Sequence, residues 1–291
     1  MGFAKRWCAV LGCVLPAVLL MASGAVRAMD SASALPRTLV LGTYPSELPS
    51  EELEKIKPIR AGLERRFLAA GHRVDIEIQI FQSYEEAIQG LVAGKVDFAR
   101  MGPVNYVLAK EQKPSLRLLA METQNGLRLL TGYIFVPANS PVRTLKDLRG
   151  KTFAFGSHNS TTGRYYPQAA LVEAGIYASD LAGYRYLHRH DKVLKGVSDG
   201  GFDAGASNEV TFRKLGAGKK LRAIHTMKSP AHAWVARADL PTAVADMLVL
   251  SLLGLSAVEL ELLSRDGLVA ATDADFDRVR QVMKRAERFI E

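Results

Sequence analysis

The feature that most constrains the fold is an alternation. Short apolar stretches and amphipathic ones follow each other from residue 38 to the C-terminus. Thr38-Leu39-Val40-Leu41-Gly42 reads as a buried strand. Residues 58–69 place Ile59, Leu63 and Phe67 at four-residue spacing, the period of a helix face. Residues 75–81 alternate strictly, with Ile76, Ile78 and Ile80 on one side, and predict a strand. A helix is expected over 85–93, and strands over 96–99, 116–121 and 129–136. Pro137-Ala138-Asn139-Ser140-Pro141 has the composition of a linker. The pattern then restarts with strand 152–155, helix 160–174, strand 184–187, helix 191–198 and strands 203–206 and 221–225. After Ser229-Pro230 the chain is expected to return to its first unit through 233–236 and to end in helices over 241–253 and 276–290.

Such alternation predicts an α/β fold with mostly parallel sheets flanked by helices. Two such units place a ligand cleft between them, at the carboxyl ends of strands. The expected organisation is a first lobe over 29–136, a second over 137–227, and a return to the first lobe with the C-terminal helices over 228–291.

Residues 1–28 read as a secretory signal rather than a spanning helix. Lys5 and Arg6 precede an apolar run over 7–21, and Ser23-Gly24-Ala25-Val26-Arg27-Ala28 offers small residues where a signal peptidase cuts. Few apolar residues precede Cys13, which argues against a lipidation site there. Cleavage after Ala28 leaves 263 of the 291 residues. Both cysteines, Cys8 and Cys13, leave with the signal, so the exported part has no disulfide, thiol nucleophile or cysteine metal site. The net charge of +8 includes Lys5, Arg6 and Arg27; without them 35 basic residues face 30 acidic ones, a net +5. Positive residues are interspersed with acids, as in Glu64-Arg65-Arg66, so no nucleic-acid stripe is present.

Three strand-to-helix turns carry candidate site residues. Gly156-Ser157-His158-Asn159-Ser160-Thr161-Thr162-Gly163 follows a strand and opens a helix. Free N–H groups and the dipole of a first helical turn favour an anion, and the hydroxyls of Ser160, Thr161 and Thr162 add donors. By pattern alone, a helix cap explains the same residues equally well. Gly102-Pro103-Val104-Asn105-Tyr106 follows another strand, and Tyr106 is either a donor to an anion or a tyrosine packed under the loop. Tyr44 holds the equivalent place after the first strand. His190, in His188-Arg189-His190-Asp191, lies at a further junction. No Glu or further His stands at ligand spacing nearby, so no metal is expected. A Ser160–His190–Asp203 hydrolase is disfavoured because no Gly-x-Ser-x-Gly elbow is present.

These blocks resemble, in order and spacing, the periplasmic phosphonate- and phosphate-type binding proteins of ABC transporters. Tyr84-Glu85-Glu86-Ala87, Leu91-Val92-Ala93-Gly94-Lys95-Val96-Asp97-Phe98-Ala99 and the 102–106 block look like that family's first-lobe signature. Asp147-Leu148-Arg149-Gly150-Lys151 and Asn159-Ser160-Thr161-Thr162-Gly163 look like the second, and His190-Asp191-Lys192-Val193-Leu194-Lys195 like the next block. The resemblance implies the two-lobed type II periplasmic-binding-protein fold with a discontinuous first lobe. It implies a small oxyanion ligand (phosphonate, phosphate or phosphite), held by Ser160, Thr161 and Thr162 with Tyr44, Tyr106 and His190 as further ligands. Asn208 and Glu209 stand where some relatives contact the ligand's organic part, and Asp203 matches an aspartate read as structural. The implied protein is a periplasmic monomer without catalytic activity or cofactor. Its partner is an ABC permease in the inner membrane or, alternatively, a membrane sensor kinase. Three features depart from the family pattern: Ala231-His232-Ala233-Trp234 in place of a proline-containing stretch, Thr161-Thr162 in place of Thr-Ser, and the arginines Arg100 and Arg164.

Overall fold

A computed structural model describes residues 35–216 and 220–290; the export signal expected at 1–28 lies outside them. In chain order the described strands are β1 (Thr38–Thr43), β2 (Asp75–Ile80), β3 (Phe98–Met101), β4 (Arg117–Thr123), β5 (Leu129–Pro137), β6 (Thr152–Phe155), β7 (Gly183–Tyr186), β8 (Ala204–Asn208), β9 (Leu221–Pro230), β10 (Ala233–Ala236) and β11 (Gly267–Val269). The helices are α1 (Pro49–Ala69), α2 (Tyr84–Val92), α3 (Pro103–Gln112), α4 (Tyr166–Glu173), α5 (His190–Ser198), α6 (Glu209–Leu215), α7 (Thr242–Leu253), α8 (Ala257–Leu260) and α9 (Asp277–Glu287).

The strands form two sheets, ordered β11-β4-β10-β3-β1-β2 and β7-β6-β8-β5-β9. Both are mixed, where the alternation predicts mostly parallel ones. The parallel pairs are β1 with β2 and β3, and β6 with β7 and β8, each joined through helices. The strands adjoining the two crossings between sheets pair antiparallel instead: β5 with β8 and β9, and β10 with β3 and β4.

The first crossing differs from the expected one. Strand 129–136 is expected in the first lobe, yet its pairing with β8 and β9 assigns it to the second sheet. The chain turns instead at Asn125-Gly126, whose φ angles of 54° and 69° are both left-handed. Asparagine and glycine tolerate that region, and the turn closes with reciprocal bonds between Gln124 and Leu127 (2.9 and 3.0 Å).

The first helix also begins earlier than the expected residue 58. Pro49 fits the first turn, where no N–H partner is needed; Pro58 lies inside the helix, where it removes one i→i−4 bond and its ring crowds the Glu54 carbonyl. Ile56, Ile59, Leu63 and Phe67 bury this helix with Phe98, Trp234 and α7 residues such as Leu248. On the second sheet, Val193 and Val197 of α5 and Phe212 of α6 pack on Phe135 and Ala154. The C-terminal helix packs with α4 rather than only with the first sheet. Phe289 beyond its end meets Phe155 and Tyr184 edge-to-face, both at 5.5 Å.

Candidate functional site

A cavity of about 80 Å³ opens where the carboxyl ends of β1, β3 and β8 and the 156–163 turn converge. Six of the seven expected ligands line it: Tyr44, Ser160, Thr161, Thr162, His190 and Asn208.

The 160–165 stretch explains how three hydroxyls share one wall. Ser160 caps the turn, accepting from Gly163 N–H at 3.0 Å, so the cap reading is true of this residue. Thr161 to Tyr165 then form a wide π turn before α4. Glycines permit the close packing: Gly156 N–H donates to Gly163 O at 2.8 Å, and a Cβ on Gly132 would stand 2.7 Å from Thr162. The Thr161 hydroxyl accepts from Val104 N–H at 3.2 Å, which leaves its own proton free to donate.

Tyr44 follows the same logic. Its hydroxyl accepts from Gly102 N–H at 2.6 Å and keeps its proton for the cavity. Its ring lies 4.3 Å from that of Tyr84, whose hydroxyl shares a hydrogen bond with Ser160. Burial pushes both phenols well above the ordinary value, so both stay protonated donors. Burial also pulls His190 down to about 4, which makes it neutral at pH 7, and its Nδ1 is buried without a partner. Asn208 caps α6, accepting from Thr211 N–H at 2.8 Å, while facing the cavity.

Tyr106 does not reach the cavity. Its hydroxyl donates to Asp273 Oδ1 at 2.7 Å, and its ring packs 4.3 Å from Phe276. The physical reason is helical geometry: the backbone N–H groups at the start of α3 face the cleft, while residue 106, almost one turn on, points to the core behind it. Arg164 also turns away, bonding His158 O at 2.7 Å and Gln168 Oε1 at 3.2 Å. Asp203 accepts from Thr152 N–H and Oγ1–H, both at 2.8 Å. With Asp203 so placed and Ser160 bonded to Gly163 and Tyr84, no Ser–His–Asp relay is assembled. No cluster of three or more metal-ligating side chains occurs among the described residues.

The opposite wall is charged. Glu47, Glu52, Lys55, Arg100 and Arg265 all line the cavity, together with His232. Arg100 holds Glu122 behind it with two bonds, 2.6 and 2.9 Å. Glu122 also accepts from Arg265 at 3.1 Å and from the Trp234 indole at 3.2 Å. Burial opposes the Glu122 charge, but Arg100 and Arg265 outweigh it and keep the carboxyl at about 2. Glu47 receives Lys55 Nζ at 3.1 Å and the Thr211 hydroxyl at 2.5 Å, and Glu52 receives the Thr43 hydroxyl at 2.6 Å. Burial works against the Glu47 charge too, and the bond from Thr211 leads the contacts that bring its carboxyl below the usual range. The cations Lys55, Arg100 and Arg265 are thus matched by the carboxylates Glu47, Glu52 and Glu122. Directed donors rather than excess charge would hold an anion here.

Several bonds tie the elements of the two sheets across the cleft. Besides Thr211–Glu47 and Val104–Thr161, His190 N–H donates to Ser46 O at 3.1 Å and Asn159 to Glu85 at 2.8 Å.

Sequence reasoning misses Glu47, Glu52, Lys55, Tyr84 and Arg265 as site residues. Placing the helix start at residue 58 hides Glu52 and Lys55, and an earlier start at Pro49 is the signal that reveals them. Arg265 lies in an irregular stretch after α8 with no local pattern to mark it.

Comparison with known proteins places this geometry in context. Residues 41–276 match the family described as ABC transporter, phosphonate, periplasmic substrate-binding protein. The chain is 27% identical over 194 residues to the phosphate-import protein PhnD of Mycolicibacterium smegmatis, covering 63% of this chain and 59% of that protein. It is 27% identical over 148 residues to a probable ABC transporter phosphite binding protein, PhnD1, of Prochlorococcus marinus, covering 48% of this chain and 50% of that one. The matches therefore span only 50–59% of the length of these relatives. The solved structure of PhnD1 from Prochlorococcus marinus in complex with methylphosphonate superposes with a TM-score of 0.78 at 20% identity, over 87% of this chain and 100% of that one. The periplasmic aliphatic sulphonate binding protein SsuA of Escherichia coli superposes with a TM-score of 0.60 at 19% identity, over 87% and 86%. These structures share the two-lobed fold.

Proposed function

The chain belongs to the periplasmic phosphonate substrate-binding proteins of ABC transporters, and on that premise we propose that it captures a small phosphorus oxyanion in the cavity described above. The observation that carries the reading is the convergence of protonated, uncharged donors, Tyr44, Thr161 and Thr162, on a space sized for a tetrahedral ion. The roughly 10–15 Å³ that admits a single water is well exceeded by 80 Å³, which leaves room for a few waters or one small ion. Phosphonate, phosphate and phosphite, which the names of the relatives invoke, fit this volume.

In this reading the chain is exported to the periplasm and delivers its ligand to an ABC permease. The two lobes follow the two sheets and close about the crossings at 124–128 and 231–232. Thr211–Glu47 and Val104–Thr161 are bonds of the closed form, and ligand binding favours that form through contacts available only there.

A thermal-shift panel tests the reading. Methylphosphonate, phosphate, phosphite and sulfate are each added to the purified protein. A binder of the folded form at 100 times its Kd adds about 2.7 kcal/mol of stability, and at least one phosphorus oxyanion is expected to do so. Absence of stabilisation by all three phosphorus anions at millimolar concentration would sink the proposal.

A further inference from the structure

Two histidines line the anion cavity, one from each sheet. His190 opens α5 of the second sheet, and His232 stands in the crossing that returns the chain to the first sheet through β10. The backbone anchors both. His190 N–H donates to Ser46 O at 3.1 Å, and His232 O accepts from Glu122 N–H at 3.0 Å. The rings are a different matter: both Nδ1 atoms are buried without a hydrogen-bond partner. His190 is only 4% exposed, and a buried polar atom left unpaired calls for a role. His232 Nδ1 lies 3.6 Å from Glu122 Oε2, beyond hydrogen-bond reach.

The charges around the pair cancel. His232 is faced by Arg100 from β3, Glu122 from β4, Arg265 from the stretch after α8, and His190. His190 is faced by Glu47 from the segment after β1, Lys55 from α1, and its neighbour Asp191. Asp191 is itself held by Arg189 with bonds of 3.1 and 2.8 Å. Tyr44 and Tyr84 stay protonated. Glu47, Glu52 and Glu122 offset Lys55, Arg100 and Arg265, so no fixed charge is left over to match an anion.

The histidines are the groups here that can still change charge near neutral pH. Burial alone keeps both neutral, bringing His190 down to about 4 and His232 well below its ordinary value. One anionic charge about 4 Å from a ring, at an effective dielectric of ~20, favours the ring's proton roughly a thousandfold. That is enough to carry His190 from about 4 into the neutral range.

We propose that the cavity takes up a proton together with its anion, and that the His190–His232 pair holds it. This rests on the anion-binding reading above. A charge on one ring disfavours a charge on the other, so the pair accepts one proton and not two. Linkage is reciprocal: the anion strengthens proton binding, and the proton strengthens anion binding by the same factor. Affinity therefore rises as pH falls, by about tenfold per pH unit at most for a single proton.

Nitrogen-15 NMR of the imidazole rings in the wild-type protein reads the proton directly. At pH 7, saturating methylphosphonate is expected to convert one of the two rings from the neutral to the charged form. Bound methylphosphonate with both rings neutral, at pH 7 and again at pH 6, overturns the proposal and leaves the anion-binding reading standing. Calorimetry in buffers of different ionisation heat counts the protons taken up on binding. The ligand's own proton is common to wild type and variant, so the difference between them is the share of the histidines. The double variant His190→Gln/His232→Gln is expected to take up fewer protons than the wild type by about half a proton or more. Equal counts overturn the proposal. Should the double variant fail to fold or to bind, the rings of the wild-type protein still decide. Failure of methylphosphonate, phosphate and phosphite all to bind the wild-type protein overturns the anion-binding reading, and the proton uptake with it.

Discussion

The cavity wall supplied by the second sheet consists of Ser160, Thr161, Thr162, His190 and Asn208, all uncharged in the folded protein near pH 7. The wall supplied by the first sheet and its C-terminal return contains Glu47, Glu52, Lys55, Arg100 and Arg265, all charged. The neutral wall is local: all five of its residues sit where a strand hands over to a helix, and their donors are oriented by the turn itself. The charged wall is assembled from far apart, Glu122 alone joining residues 22 and 143 positions away. One wall is thus a motif and the other a network, and the two should respond differently to substitution.

The largest effect is expected in the network. Glu122→Ala leaves Arg100 and Arg265 buried without their shared carboxylate and removes the Trp234 acceptor. Removing one partner of a buried ion pair costs about 3–5 kcal/mol. Urea unfolding of the variant should show a loss of that size, and a loss below 1 kcal/mol would mean that the network is not the scaffold of its wall.

This contrast also explains what was legible in the sequence. Alternating strands and helices were readable because periodicity is local, and so were Ser160-Thr161-Thr162, Tyr44 and His190, which stand at strand-to-helix junctions. Composition points to Pro137–Pro141 as the linker, whereas left-handed φ at the tight Asn125-Gly126 turn is what reverses the chain. Arg100 was visible only as a departure from the family pattern. Its meaning depends on Glu122 and Arg265, and no spacing in a single sequence announces a triad formed across strand β4 and a loop after α8.

Acid should reach the two buried histidines before the carboxylate at the centre of the network. His190 lies at about 4 in the folded protein against an ordinary 6.5. The unfolded chain therefore binds more protons between those values, and stability falls as pH drops through that window while being fully present above 6.5. The loss is on the order of 3 kcal/mol at the lower end. Glu122, held at about 2, adds its own loss only as pH falls below 4.5. Unfolding free energies at pH 7, 5.5 and 4.5 should decline in the wild type and less steeply in His190→Gln, with His232, also lowered by burial, keeping part of the slope. An unchanged slope in the variant removes His190 from the account.

Substitutions in the motif should cost affinity more than stability. Thr161→Ala removes a hydroxyl whose proton faces the cavity, and a hydrogen bond to a charged group contributes about 1.5–3 kcal/mol. Calorimetry is expected to show anion binding weakened by about tenfold or more. Ser160→Ala should behave likewise and also lose the cap on Gly163 N–H, costing a further ~1 kcal/mol in stability. Affinity unchanged in both would reduce the motif to a helix start.

The smallest effect separates position from orientation. Tyr106 belongs to a turn that matches the family signature, yet its hydroxyl is committed to Asp273, which Arg280 also grips with two bonds of 2.8 Å. Tyr106 is therefore part of the fastening between α3 and the segment leading into α9 rather than part of the cavity. Tyr106→Phe keeps the ring against Phe276 and deletes one bond to a carboxylate, so a loss of about 1–2 kcal/mol in unfolding free energy is expected. Anion affinity should stay within twofold, because Val104 N–H and Gly102 N–H, not the phenol, are what the start of α3 presents to the cleft. A tenfold loss of affinity with unaltered stability would show instead that the phenol swings into the cavity when ligand binds, and would add Tyr106 to Tyr44 as a donor from the first sheet.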